Sequence, residues 1–327
     1  MNSSNWYEHK NDVAIVVPLY GRNDLTKRLI YYHKWNEFPY KMYLVDGSSE
    51  RYFNHRFDNE QENLWYRYYG EDLNISDFVR KMAGVFSSVK EPYTLMLDND
   101  DLYDIDGVAN MTNLLVNSPG WVSGRGKVAS MKKIDGKWRE ESVIYKTGNV
   151  DRETVSDRFY YSKDNLNSHW HDLTETKILR DFFMACHLCE VDDLTLVFTL
   201  IDFYIACSGK CWRNSTENYY YHFPGRSTVQ GTGKMTRLRD WMKIPEWKES
   251  MAQAVAIIAN APFAIGNIRI WFLKDFYGFV AKKNERPQIN SEEEHEIMDM
   301  SHKYNERLKE YFQGKDGIEN LNNFLGR

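Results

Sequence analysis

The sequence predicts an α/β fold: a mostly parallel sheet flanked by helices, followed by a helical C-terminal extension. Three observations carry this expectation. Three short apolar runs, Val13–Val17 (VAIVV), Met42–Val45 (MYLV) and Tyr93–Leu97 (YTLML), read as buried strands. The segments between them carry apolar residues at helical spacing, the alternation that builds a parallel sheet. Beyond Gly233 the pattern is helical to the C-terminus.

The elements follow in order. After the first strand, Asp24–Trp35 places Leu25, Leu29, Ile30 and Tyr32 on one side of a helix. After the second, Ser76–Val89 does the same with Phe78, Met82, Val85 and Phe86. A further strand is expected through Gly126–Lys132, with a hairpin turn at Gly136. A helix over Asp192–Cys207 follows. In the tail, helices are expected over Glu246–Asn260 and Ala264–Lys282, with Pro262 between them. Ser291-Glu-Glu-Glu294 reads as a capping box opening a last helix through Phe312. There is no internal repeat.

Composition bounds the function. The 327 residues suffice for one large domain or two smaller ones with a real core. Hydrophobic residues are 42% and charged ones 27%, which excludes wholesale disorder. The 42 basic and 47 acidic side chains give a net charge of −5, so no nucleic-acid partner held by bulk positive charge is expected. Aromatics reach 15%, which suits a protein that handles sugars and equally a Tyr-rich core. Residues 1–12 lack a basic stretch and an apolar stretch, so no secretory signal is expected. No run of about 18 apolar residues occurs. A cytoplasmic chain is expected, soluble or peripheral at the cytoplasmic face of a membrane.

Cys186, Cys189, Cys207 and Cys211 have spacings that imitate a zinc site. Leu194, Val197, Phe198, Ile201 and Ile205 repeat as one helix between the pairs. At a rise of about 1.5 Å per residue they would stand about 27 Å apart, too far to share an ion. Reduced core thiols are the plainer reading.

In open α/β sheets ligands bind beyond the carboxyl ends of the strands. Here those ends read Pro18-Leu-Tyr-Gly-Arg22, Asp46-Gly-Ser-Ser49 and Asp98-Asn-Asp-Asp101. Neither G-x-G-x-x-G nor G-x-x-x-x-G-K-[ST] occurs, so no glycine loop cradles a pyrophosphate. Carboxylates of Asp98-Asn99-Asp100 offer hard ligands for Mg²⁺ or Mn²⁺ instead. A solvated turn with an Asp cap explains one such end; three on one edge point to a site.

These residues, PLYGR, VDGSS and YTLMLDNDD, resemble the GT-A glycosyltransferases of the family 2-like group, bacterial domains with an ADGSS-like second strand end and a D-x-D motif. The resemblance covers residues 12 to about 230. It implies the nucleotide-diphospho-sugar transferase fold over 12–232, with 233–327 as a helical extension. It also implies a nucleotide-sugar donor, usually UDP-linked, and a Mn²⁺ or Mg²⁺ ion. Pro18, Leu19, Tyr20 and Arg22 would line base and ribose, and Asp46 would accept a hydrogen bond from the base. Asp98 and Asn99 would lie at the ribose and Asp98 also near the metal, with Asp100 as metal ligand. Lys81 would face the nucleotide, or be solvated on its helix.

Inverting members carry a Glu-Asp pair followed by Leu at a helix start, and Glu190-Val-Asp-Asp-Leu-Thr-Leu196 fills that place. Asp193 matches best as general base, with Asp192 in the Glu position; Asp-Asp for Glu-Asp leaves the choice between them open. Either Asp also reads as a helix cap. His222, in Tyr219-Tyr-Tyr-His-Phe-Pro-Gly-Arg226, matches the late His that some GT-A enzymes add as a metal ligand, and reads equally as structural. The following loop, with Gly225, Gly231, Gly233, Arg226, Lys234 and Arg237, would close over the donor phosphates. His169-Trp-His171-Asp172 would flank an acceptor pocket, or be a core Trp between two surface histidines. The aromatic tail, with Trp241, Trp247 and Trp271, would pack on the first domain, self-associate or lie on a membrane.

The function so implied is a metal-dependent, inverting hexosyltransferase of polysaccharide biosynthesis, acting on a glycan, lipopolysaccharide or lipid-linked acceptor. The alternatives are a non-catalytic glycan-binding or assembly protein on the same fold, and a sugar nucleotidyltransferase. The latter class usually has a Gly-rich basic loop after the first strand, which is missing here.

Overall fold

The computed structural model describes residues 8–144, 148–165, 168–223, 238–264 and 266–313. In chain order these form β1 (Val13–Leu19), α1 (Asn23–Trp35), β2 (Lys41–Asp46), β3 (Phe57–Asn59), β4 (Leu64–Tyr68) and α2 (Ile75–Phe86). Next come β5 (Tyr93–Met96), β6 (Leu102–Tyr103), α3 (Ile105–Val116), β7 (Trp121–Ile134) and β8 (Lys137–Ile144). α4 (Val155–Asn165), β9 (Leu173–Glu175), α5 (Thr176–Leu188), α6 (Leu194–Ser208) and β10 (Lys210–His222) follow. The tail holds α7 (Trp247–Asn260), α8 (Ile268–Lys283) and α9 (Ser291–Gln313), after a 3-10 turn at Leu238–Lys243.

The chain forms two compact units, both discontinuous in sequence. One comprises Met1–Asp72, Ser88–Leu179 and Ile205–Thr228; the other Leu73–Ser87, Arg180–Tyr204 and Val229–Arg327. The boundary expected at 232/233 lies outside the described residues.

The first unit holds the whole sheet, in the order β3-β4-β2-β1-β5-β9-β7-β10-β6, with β8 paired to β7. Strands β4, β2, β1 and β5 run parallel. All seven residues of β1 except Pro18 are buried, which is why it reads as an unbroken apolar run. Ile15, Val17, Leu44, Tyr66 and Leu95 pack with Leu29 of α1 and with Val108, Met111 and Leu115 of α3, so these helices cover one face. Each such side chain contributes about 2 kcal/mol by leaving water. The hairpin expected at Gly136 joins β7 to β8 through Asp135 and Gly136, both at positive φ (49° and 78°), as a two-residue turn between twisted strands requires.

The second unit is helical. α2 is capped by Asn74, whose side chain accepts from Asp77 N at 2.9 Å. In the tail, Trp241, Trp247, Phe272, Phe276 and Tyr277 are buried within this unit. Phe272 and Phe276 stack at 5.1 Å and Trp247 meets Tyr277 edge-on at 6.0 Å. The aromatic richness of the tail is therefore spent largely on helix packing. The N-cap expected at Ser291 lies one residue earlier, at Asn290. Asn290 Oδ1 accepts from Glu293 N at 2.9 Å, satisfying one of the free N–H groups of the first turn. All four cysteines are buried and free, and burial pushes each thiol up, Cys207 and Cys211 to about 12. No helix among the described residues is long and apolar enough to cross a membrane.

Candidate functional site

The sheet brings three polar strand ends together. β1 lies between β2 and β5, with Leu19 opposite Asp46 and Val16 opposite Met96. Gly47 N then donates to Leu19 O at 3.0 Å and Leu97 N to Val16 O at 2.9 Å, so both loops leave on the carboxyl side of β1, the one after β5 beside Val16 and the one after β2 beside Leu19.

The loop after β2 is built around Asp46, which has no exposed surface. Its Oδ1 accepts from Ser48 N at 2.9 Å, and its Oδ2 from Tyr52 N at 2.9 Å and the Tyr66 hydroxyl at 2.7 Å. Both oxygens, expected to meet a nucleobase, are occupied by the chain's own donors. Ser48 in turn accepts from Gly21 N at 2.7 Å, tying this loop to the one after β1. A Cβ on Gly47 would stand 2.2 Å from Asp72 Oδ2, so any side chain there forces the Asp72 carboxylate to shift. After β1, Gly21 and Arg22 both take positive φ (68° and 55°), turning the chain sharply into α1. Pro18, Tyr20 and Arg22 are half-buried at this turn, whereas Leu19 is in the core.

The loop after β5 divides its four polar residues by direction. Asn99 turns inward and donates to Thr26 Oγ1 at 3.0 Å. Asp100 pairs with Arg22, Nη1 to Oδ2 at 2.6 Å, while Arg28 donates to the Asp100 carbonyl. Asp101 is fully buried: Oδ1 accepts from Phe223 N at 2.8 Å, and Oδ2 accepts from the Tyr220 hydroxyl and meets His222 Nδ1 at 3.2 Å. The hydrogen bond to Asp101 is also what chiefly raises the His222 pKa.

Asp98, Asp101 and His171 offer ligand atoms that all lie within 4.8 Å of one another. His171 arrives on the turn before β9, which inserts between β5 and β7. Its Nδ1–H donates to Met96 O at 3.4 Å, which leaves the Nε2 lone pair facing Asp98 Oδ2 at 3.9 Å. The ring stacks on Tyr220 at 4.4 Å. Desolvation raises the Asp98 pKa; His171 opposes this while Asp101 and Asp100 add to it. Two carboxylates and an imidazole, set where negative charge is crowded, fit Mn²⁺ or Mg²⁺, the imidazole favouring Mn²⁺.

Beside this cluster lies a buried ionic group. Asp172 accepts from Ser123 Oγ at 2.7 Å, His169 Nδ1 at 2.7 Å and Arg213 Nη2 at 2.9 Å, with Arg125 at 3.5 Å. Burial alone would raise its pKa, but Arg213, His169 and Arg125 outweigh it and hold the carboxyl well below the usual range. Burial, and next the Arg213 charge, lower His169 to about 4. His169-Trp-His171-Asp172 is thus a folded turn in which only His171 faces the carboxylates after β5.

The expected ligands Asp98, Asp100 and His222 are therefore not one cluster: Asp98 groups with Asp101 and His171, Asp100 engages Arg22, and His222 engages Asp101. In the sequence Asp101 stands out only as part of the Asp-Asn-Asp-Asp run, and His171 only as an acceptor-side or surface residue; both His169 and His171 are in fact buried, held by Asp172 and Tyr220. The three-residue spacing from Asp98 to Asp101 was the available signal.

Asp192, Asp193 and Lys81 belong to the helical unit. Asp192 Oδ1 caps α2, accepting from Ile75 N at 3.0 Å and Ser76 N at 3.1 Å. Asp193 caps α6, its Oδ1 accepting from Thr195 N at 2.8 Å, while its Oδ2 accepts from Trp241 Nε1 at 2.6 Å. Desolvation raises the Asp193 pKa against the pull of these donors. Lys81, on α2, is buried, its Nζ 5.4 Å from the Phe78 ring centre. The loop expected to close over phosphates, from Pro224 to Arg237, lies outside the described residues.

No family model matches the sequence, and no curated protein matches it. Solved structures do. The chain is similar to TarS of S. aureus at a TM-score of 0.50, with 14% identity over 95% of this chain and 50% of that one. It thus spans half the length of that TarS chain. A TarS 1-349 structure in complex with UDP-GlcNAc is matched at 0.49, with 15% identity over 97% of this chain and 92% of that one. Mannosyl-3-phosphoglycerate synthase of Rubrobacter xylanophilus is matched at 0.39, with 14% identity over 83% and 81% of the two chains. The fold is the GT-A fold of glycosyltransferases, a mostly parallel sheet flanked by helices with a helical C-terminal part.

Proposed function

We propose that the protein is a divalent-cation-dependent glycosyltransferase that moves a sugar from a nucleotide-linked donor, UDP-linked by the motif resemblance, to a hydroxyl of a glycan or lipid-linked acceptor. The observation that carries this reading is the Asp98–Asp101–His171 cluster at the carboxyl ends of parallel strands, where open α/β sheets bind ligands. Asp98, Asp101 and His171 would hold the cation. When bound, it supplies positive charge that stabilises the departing nucleoside diphosphate.

The chain's own residues have separate tasks. Asp100 orients the Arg22 guanidinium at the turn where β1 gives way to α1, a position suited to an anionic group. Tyr20 offers a half-buried aromatic face at the same turn. The reaction joins the acceptor oxygen to the anomeric carbon, breaks the bond from that carbon to the diphosphate oxygen, and needs a base for the acceptor proton. We assign this base to Asp193 on its match to the Glu-Asp-Leu pattern; its raised pKa favours proton uptake. Attack opposite the leaving group inverts the anomeric centre.

Calorimetric titration of the full chain with UDP, with and without Mn²⁺, tests the reading. UDP is expected to bind in a Mn²⁺-dependent manner that Asp98→Asn abolishes and Asp100→Ala weakens. A screen of UDP-sugars for turnover follows. Failure of UDP, GDP, CMP and dTDP alike on a folded sample would sink the enzyme reading in favour of a non-catalytic glycan-binding protein.

A further inference from the structure

We infer that Tyr220, at the end of β10, is the positioning residue of the cation cluster. The inference rests on the metal reading above. Tyr220 touches two of the three ligands with two different parts of one side chain: its ring stacks on His171 at 4.4 Å and 29°, and its hydroxyl donates to Asp101 Oδ2.

Both contacts set a torsion that a ligand needs fixed. An imidazole held by a single hydrogen bond can swing about its Cβ–Cγ bond, and the bond from His171 Nδ1 to Met96 O is a long one at 3.4 Å. The stacked phenol ring restricts that swing and keeps Nε2 toward Asp98. A carboxylate likewise rotates unless its oxygens are pinned, and the Tyr220 hydroxyl and Phe223 N pin one oxygen each of Asp101. Outer partners of this kind tune metal affinity by about 10- to 100-fold in proteins.

The strand that carries Tyr220 is itself anchored. Tyr220 pairs with Tyr103 of β6 on one side and Val128 of β7 on the other, and its side chain has no exposed surface. Phe223, three residues on, lies under the Arg28 guanidinium at 4.9 Å, and Arg28 donates to the Asp100 carbonyl. The carboxyl end of β10 thus reaches His171, Asp101 and the backbone of Asp100 together. Tyr221 provides a control on the same strand: its hydroxyl donates to Asp104 Oδ2 at 2.8 Å and reaches none of the three ligands.

The test is Mn²⁺ binding by the full chain, read as loss of the free-ion electron paramagnetic resonance signal, together with thermal unfolding. Tyr220→Phe removes only the hydroxyl and is expected to weaken Mn²⁺ binding about tenfold. Tyr220→Leu removes the stack as well, and is expected to weaken it further and to diminish the nitrogen coupling of the bound imidazole. Tyr221→Phe is expected to bind as the parent does, at a thermal shift similar to that of Tyr220→Phe. Equal Mn²⁺ affinity in the parent and in Tyr220→Phe, or equal losses in Tyr220→Phe and Tyr221→Phe, would overturn the positioning role. A parent chain that leaves the Mn²⁺ signal unchanged would overturn the metal reading and this inference with it.

Discussion

Asp46→Asn isolates the contribution of the loop after β2. The carboxylate meets one donor at Oδ1, Ser48 N, and two at Oδ2, Tyr52 N and the Tyr66 hydroxyl. An asparagine keeps its oxygen where two donors converge, so its NH₂ must oppose Ser48 N–H. One charge-assisted hydrogen bond, worth about 1.5–3 kcal/mol, is lost, and a buried N–H is left unsatisfied at about 1–3 kcal/mol. Relief from burying a charge offsets part of this, giving a net loss of about 3 kcal/mol. Tyr66→Phe removes one donor without orphaning the other two and should cost about half as much. Because the two side chains touch, the double variant should lose less than the sum, by about 1 kcal/mol. Urea unfolding followed by circular dichroism reads the midpoints. An unfolding free energy for Asp46→Asn within about 0.5 kcal/mol of the parent would refute the reasoning that this carboxylate organises the loop.

Three further outcomes are expected. Gly47→Ala places a Cβ 2.2 Å from Asp72 Oδ2 and should cost about 1–3 kcal/mol in the same assay, with Asp72→Ala relieving most of it in the double variant. Burial lowers His33 from 6.5 to about 4, so between these pH values the unfolded chain binds a proton that the folded chain does not. Stability should therefore fall by up to about 3 kcal/mol as pH drops from 6.5 to 4, and a His33→Asn variant should show a flatter profile. Asp193→Asn should lower turnover about 10²- to 10⁴-fold while leaving UDP binding intact; a loss of turnover that merely tracks the folded fraction would reduce Asp193 to the cap of α6.

Legibility differed by element for physical reasons. β1, β2 and β5 announce themselves because strands buried on both faces are apolar throughout. β4, reading LWYRY, mixes aromatic and charged residues and carries no clean strand pattern, and β3 beside it has only three residues. β9 has three residues, too few for any period, yet its insertion between β5 and β7 is what delivers His171. The strand-end motifs located the edge of the sheet that matters, since polar residues at three such ends are visible in the string. Which carboxylate turns inward is not visible there. Asp46 faces its own loop because Tyr66 comes from β4, and Asp101 rather than Asp100 joins Asp98 because Arg22 engages Asp100.

The central claim is the place of the cation. A crystal of the full chain soaked in MnCl₂ and UDP, with data collected at the manganese absorption edge, addresses it directly. The account predicts an anomalous peak within coordination distance of Asp98, Asp101 and His171 Nε2. A peak held by Asp100 and His222 instead, or nucleotide density with no peak at all, would contradict it.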